Sequence, residues 1–264
     1  MADFTAKDVQ ALRRTTGAGM MDAKKALVDN EGDAEAAAQW LREKGIAKSA
    51  SRSDRDNSEG IVVARVEDGV AAIVELKCET DFVAKSDQFG QLAENLLTCV
   101  LVDGEEAVGQ ESSELESLKI TLKENIGLGK IVRYESAEGS VLDAYVHQQN
   151  GRGVNAVLVE IHNGSKEVAH DLALHIASNR PKYLTREDVP PEVIAAERET
   201  LANITRNEGK PDQAIDKIVD GRMAGFFRDA ALLEQKFVKD EKLGIVELLG
   251  EATISRFAQV EIGN

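Results

Sequence analysis

From residue 5 to residue 46 the apolar positions recur at helical spacing. Thr5-Ala6-Lys7-Asp8 has the form of a capping box, and Val9 and Leu12 follow on one face. Thr16-Gly17-Ala18-Gly19 breaks the pattern. Met20, Ala23 and Leu27 then recur at i, i+3 and i+7, which predicts a second helix. Asp33 is placed to cap a third, with Ala37, Trp40 and Leu41 inward and Gly45 as its C-terminal stop. A unit of about 40 residues buries too little to be stable alone and reads as a docking module.

Residues 47–59 hold nothing apolar larger than Ala, which predicts a linker. The period then changes to that of strands. Ile61–Val66 and Val70–Leu76 flank Glu67-Asp68-Gly69, a hairpin signal. The stretch Cys78–Asp87 reads as a loop. Phe89, Leu92, Ala93, Leu96, Leu97 and Val100 return to helical spacing. Ser113-x-x-Glu116 opens a further helix with Leu115, Leu118, Leu122 and Ile126 on its apolar side.

A second copy follows about 80 residues later. Glu138–Ala144 resembles Glu59–Ala64, and Asn155-Ala156-Val157-Leu158-Val159-Glu160-Ile161 resembles Val70-Ala71-Ala72-Ile73-Val74-Glu75-Leu76. Each copy runs into an amphipathic helix, the second with Val168, Leu172 and Ile176. All four prolines lie between 181 and 211. Pro190-Pro191 starts a helix with Ile194, Leu201 and Ile204, Gly209-Lys210-Pro211 turns the chain, and Ile215, Val219, Met223 and Phe226 mark the return. Ala258, Val260 and Ile262 alternate with polar residues, so a final strand is predicted.

The expected fold class is α+β. The expected division is a three-helix docking domain (1–50), a linker (51–59), two related α/β subdomains (60–137 and 138–190), a helical hairpin (191–230) and a return to the core (231–264). The hairpin could pair between two chains in a homodimer or buttress its own core.

Composition narrows the function classes. Of 264 residues 42% are apolar, enough for a core, so a disordered chain is excluded. No apolar run approaches the ~20 residues that span a bilayer. Met1-Ala2-Asp3-Phe4 lacks a basic stretch followed by an apolar one, so the expectation is a cytoplasmic protein with reduced thiols at Cys78 and Cys99. The net charge is −15, against direct nucleic-acid binding. Residues 1–56 are neutral, with ten charges of each sign, so the whole excess falls on 57–264.

Catalytic and metal chemistry find little support. There is no P-loop, no nucleophile elbow, and Gly17-Ala18-Gly19 follows a helix where a dinucleotide fingerprint follows a strand. His162, His170 and His175 are spaced at eight and five, unlike a zinc pair, and read with His147 as solvated or hydrogen-bonded residues. The expectation is a protein without catalytic residues, metal or cofactor. Two segments remain. Aromatics are 4% of the chain, so Phe82 inside Cys78-Glu79-Thr80-Asp81-Phe82-Val83-Ala84-Lys85 is conspicuous. It is either a loop anchor folded into the core or an exposed apolar wedge, with Asp81 beside it. Met20 and Met21 are adjacent and cannot both face one helix interior. They either line a loose core or put at least one adaptable side chain on a binding face.

Those segments carry a resemblance. Leu12-Arg13-Arg14-Thr15-Thr16-Gly17-Ala18-Gly19-Met20-Met21-Asp22-Ala23-Lys24-Lys25-Ala26-Leu27 is similar to the N-terminal signature of the bacterial elongation factor Ts family, with Ala23 where many members have Cys. Cys78–Phe89 resembles its central signature, and Tyr145-x-His147 and His175–Tyr183 resemble later segments. The resemblance implies a ubiquitin-associated-like helical domain, antiparallel sheets in both subdomains and an inserted hairpin. It implies guanine nucleotide exchange on elongation factor Tu, bound in its GDP and nucleotide-free states. Thr80, Asp81, Phe82 and Val83 would form the wedge near the partner's Mg²⁺ and phosphate site. Arg13, Met20 and Met21 would dock the helical domain, and His147 would grip a second partner domain. The sequence stops just after the last predicted strand, where some members add a helical module. A scaffold that binds only through its helical domain is the alternative.

Overall fold

The computed structural model describes residues 4–50, 52–109 and 113–263. Met1–Asp3, read above for a leader, and residue 51 of the expected linker lie outside them, as do the side chains of 46–50. The fold is mixed α+β. Three helices, α1 (Ala6–Thr16), α2 (Met20–Asp29) and α3 (Ala34–Ala50), form the N-terminal unit around Val9, Leu12, Ala23, Ala26, Leu27, Ala37 and Leu41. Thr5 and Asp8 make the predicted capping box, and the Asp33 carboxylate accepts from the N–H groups of Glu35 and Ala36. Trp40 is half-buried beneath the Lys44 ammonium, 4.5 Å from its ring centroid. Gly45 does not stop α3, which runs on to Ala50. Its missing side chain serves another purpose: a Cβ there would fall 2.8 Å from Ile120 Cγ2, so the glycine lets the unit lean on the core. Beside that contact a groove of about 1300 Å³ separates the helical unit from the core helices.

Strands β1 (Glu59–Glu67) and β2 (Val70–Cys78) form an antiparallel hairpin. A single-turn helix, α4 (Asp81–Ala84), follows, then α5 (Asp87–Asp103), a 3₁₀ turn (Glu105–Ala107) and α6 (Ser113–Leu122). The predicted continuation of α6 to Ile126 does not occur. Lys123 takes a left-handed φ of 63°, and Ile126 is buried as the chain enters β3 (Gly127–Glu135), which pairs with β2. The second copy repeats the plan. Strands β4 (Ser140–Gln149) and β5 (Arg152–His162) form a hairpin, α7 (Lys166–Asn179) follows, and β8 (Thr253–Glu261) returns to pair with β5. Between α7 and β8 lie the hairpin α8 (Pro191–Asn207) and α9 (Asp212–Ala230), a 3₁₀ turn (Leu232–Glu234), short strands β6 (Lys236–Phe237) and β7 (Asp240–Gly244), and α10 (Ile245–Leu249). In the hairpin Ile215, Val219 and Met223 pack on Ile194 and Leu201, whereas Ile204, predicted on the apolar side, is exposed.

The two sheets pack face to face. Val62, Ala71 and Ile73 of one meet Leu142, Ala156, Leu158 and Val260 of the other. The outer face of the first sheet carries α5 and α6, and that of the second carries α7 and α10. The central strands β2 and β5 are therefore buried on both faces, which explains their nearly continuous apolar runs.

Each central strand also holds one buried carboxylate, at matching points of the repeat. Glu75 lies at a register shift in β2, and its Oε2 accepts the Lys130 N–H at 2.8 Å. A Cβ on Gly129 would fall 2.2 Å from that oxygen, so any side chain there would displace the carboxylate. Glu160 lies at the shift in β5 and accepts from the Ala137 N–H (2.9 Å), the Ser140 hydroxyl (2.6 Å) and Arg256 Nε (2.7 Å). The Arg256 guanidinium lies 4.1 Å from the Tyr134 ring centroid and donates to the Glu135 carbonyl, so this cluster joins the two sheets. At the opposite end Arg152 donates to the Gly60 carbonyl at 2.7 Å and pairs with Glu59.

Burial alone would raise the Glu160 carboxyl. The hydrogen bonds from Ser140, Ala137 and Arg256 outweigh it and hold the group below the usual carboxylate value. A depressed folded value gives stability that is present above the unfolded pKa and is lost as pH falls through the folded one. Glu160→Gln should therefore cost about 2 kcal/mol at neutral pH, and the gap to wild type should close below about pH 4. Urea denaturation at both pH values measures the difference.

Candidate functional site

Strand β2 ends at Cys78 and releases a short segment before α5 begins. The N–H groups of Glu79 and Thr80 have left the sheet and need acceptors. Both donate to Glu124 Oε2, at 3.0 and 3.1 Å, and the Thr80 hydroxyl donates to Glu124 Oε1 at 2.6 Å. The same hydroxyl oxygen accepts the Val83 N–H at 3.3 Å and so caps α4. The exchange is reciprocal, since the Asn125 N–H donates to Glu79 Oε1 at 2.6 Å. On the far side the Ser86 hydroxyl donates to the Val83 carbonyl at 2.8 Å. Ala84 is buried and Val83 half-buried against the core formed with α5.

Phe82 sits between these anchors and is 84% exposed. The core-anchor reading is thereby overturned: Ala84 and Val83 do the anchoring, and the one-turn helix aims Phe82 outward. The segment is a helical turn where the sequence suggested a plain loop. Asp81, on the same turn, pairs with Lys85 at 2.6 Å, and that hydrogen bond holds its carboxyl below the usual range. One small turn thus presents an apolar ring next to an ionised carboxylate.

Thr80, Asp81, Phe82 and Val83 are brought together here. The remaining candidates stand on other elements. Arg13 is exposed on α1, and Met20 and Met21 open α2 at 45% and 75% exposure. Both methionines therefore leave the small core, which Ala23, Ala26 and Leu27 fill without them. His147 is exposed near the end of β4, its Nδ1 3.3 Å from the Tyr145 hydroxyl.

Two of the other histidines have structural partners. His175 is buried, with Nδ1 accepting the Val238 N–H at 3.2 Å and Nε2 2.8 Å from Gln235 Oε1. Burial lowers its pKa, which suits a neutral ring. His170 Nδ1 lies 2.9 Å from Asp143. Among the described residues no group of His, Cys, Asp or Glu could hold a metal ion, and no helix is long and apolar enough to cross a membrane.

Glu124 and Asn125 were not among the predicted site residues, because the pattern placed them inside a helix ending at Ile126. The polar run Lys123-Glu124-Asn125 ahead of Gly127 was the available sign of a break.

Cys78 is buried beneath the turn and its thiol points at the Thr80 carbonyl, with Sγ 3.2 Å away. Burial, with the nearby Glu124 carboxylate, pushes that thiol up to about 12. Iodoacetamide at about pH 8 should leave Cys78 unmodified in the folded protein and label it only after denaturation, as read by peptide mass spectrometry.

The family described as Elongation factor TS matches residues 79–264, a span that opens at the end of β2 and contains the whole turn. Full-length relatives carry the same name. Elongation factor Ts of Pseudarthrobacter chlorophenolicus is 39% identical over 285 residues, with all of both chains covered. Those of Micrococcus luteus and Clavibacter michiganensis subsp. michiganensis are each 41% identical, over 278 and 277 residues, again with complete coverage.

Proposed function

The chain belongs to the elongation factor Ts family of translation elongation factors, and from that premise we propose that it is a guanine nucleotide exchange factor for elongation factor Tu. The observation that carries the proposal is the outward Phe82 on an anchored turn.

A GTPase holds GDP largely through its phosphates and Mg²⁺. Exchange needs no covalent chemistry from the factor. It requires only that the factor bind the nucleotide-free partner more tightly than the GDP-bound one, and nucleotide and factor then weaken each other equally. Phe82 is suited to such discrimination. Its ring is in water in the free protein, so any pocket that opens as GDP leaves gains the whole of its burial. That is worth about 2–3 kcal/mol, or roughly 30- to 150-fold in affinity. Asp81 puts a negative charge beside the ring, where it competes with phosphate for a cation. Thr80 and Val83 hold the turn.

Arg13, Met20 and Met21 would supply docking affinity on the helical unit, and His147 a second grip from the other subdomain. Exposed, flexible thioethers fit an adaptable contact surface. The exposed methionine pair also suits a scaffold that binds through the helical unit alone, and the two readings part over GDP release.

Phe82→Ala should lower the maximal acceleration of fluorescent GDP release from elongation factor Tu by roughly 10- to 100-fold. An unchanged rate would remove Phe82 from the mechanism. Replacing Met20 and Met21 together by Ser should weaken association about tenfold in calorimetry while the thermal melt stays put, since neither side chain fills the core. Unchanged affinity would take the pair out of the docking surface.

A further inference from the structure

We propose that Glu124 is a positioning residue for exchange, holding the turn that projects Phe82; this rests on the reading of Phe82 as the wedge. Helix α4 has only four residues. A single turn has no stability of its own, because nucleation costs more than one or two hydrogen bonds return. Phe82 adds none, since it packs on almost nothing in the free protein. The direction of the ring is therefore set by what grips the turn on either side.

On the C-terminal side the grip is apolar: Ala84 is buried, Val83 is half-buried, and Ser86 closes the turn through the Val83 carbonyl. On the N-terminal side it is the Glu124 carboxylate. One oxygen takes the two consecutive N–H groups of Glu79 and Thr80, and the other takes the Thr80 hydroxyl proton. With its proton directed at Glu124, the Thr80 oxygen presents its lone pairs to the Val83 N–H, one residue beyond Phe82. Glu124 thus fixes both the backbone entering the turn and the cap that orients it.

The residue next in sequence extends the arrangement. Asn125 donates its N–H to Glu79, and its side-chain amide donates to the carbonyls of Ser53 (3.0 Å) and Arg55 (2.7 Å). Arg55 in turn reaches Glu79 at 3.4 Å. The segment arriving from the helical unit is fastened at the same point as the turn. Docking of that unit and the aim of Phe82 therefore share one set of hydrogen bonds.

A double-mutant cycle separates positioning from general stabilisation. Fluorescent GDP release from elongation factor Tu is measured over a range of factor concentrations for wild type, Glu124→Ala, Phe82→Ala and the double variant. Glu124→Ala should lower the maximal rate about tenfold while the half-saturating concentration moves less than about threefold. In the Phe82→Ala background the same substitution should change the maximal rate less than about twofold. An unaltered maximal rate in Glu124→Ala, or an equal loss in both backgrounds, would overturn the proposal. If Phe82→Ala itself releases GDP at the wild-type rate, the wedge reading fails and the positioning role falls with it, a result distinct from failure of Glu124 alone. Should Glu124→Ala fail to fold, as judged by circular dichroism, Glu124→Gln takes its place in the cycle. It keeps the size but sets an amide N–H₂ against the Thr80 hydroxyl, and should lower the maximal rate about threefold, again only when Phe82 is present.

Discussion

The apolar layer shared by the two three-stranded sheets is the constraint on which the other elements depend. Val62, Ala71 and Ile73 face Leu142, Ala156, Leu158 and Val260, and each sheet then has one face left for its helices. Burying β2 and β5 on both sides leaves little room for a polar group, yet each carries a glutamate. Both sit at a break in register: Glu75 collects the Lys130 N–H that the break in its ladder leaves over, and Glu160 takes the Ala137 N–H of the connection between β3 and β4. The ion clusters of Arg256 and Arg152 stand at opposite ends of the same interface, so the sheets are pinned at their margins as well as through their middle.

That rigid body is what allows so small a segment to act. A four-residue helix would wander if it hung from a loop. Here it leaves the end of a central strand, is seated by Ala84 and Val83, and is tied at its start by a carboxylate from the entry to β3. The hydrophobic effect ordinarily draws a phenylalanine inward, so keeping one in water needs neighbours that occupy the interior in its place and a backbone that cannot rotate. The exposed ring then brings its full burial energy to an encounter, with little ordering entropy left to lose.

Much of the architecture was legible because it follows from period and punctuation. The capping box at Thr5, the Asp68-Gly69 turn, the long apolar face of α5 and the Pro191 start of α8 each have a local physical cause, and each lies where the pattern put it. The near-repeat of Ala/Val-rich runs that carry Glu75 and Glu160 pointed to two related subdomains. What escaped depends on distant partners. Strand β3 holds two glycines and no clean alternation, and Gly129 makes sense only opposite Glu75. Gly45 looked like a helix stop because its neighbour Ile120 lies 75 residues away. Strands β6 and β7 are too short to show a period. At the site, spacing alone could not decide whether Phe82 points in or out, and Glu124 was hidden by an apolar pattern that ran past the end of its helix.

The central claim is that Phe82 distinguishes two states of the partner and does more than add adhesion. Calorimetric affinities of wild type and Phe82→Ala for GDP-bound and for nucleotide-free elongation factor Tu test it most directly. The ratio of the two affinities is the coupling between nucleotide and factor. Loss of the ring should weaken binding to the nucleotide-free partner by roughly 30- to 150-fold and to the GDP-bound partner far less, so that the ratio shrinks. Equal weakening of both, with the ratio preserved, would contradict it and reduce Phe82 to a docking contact.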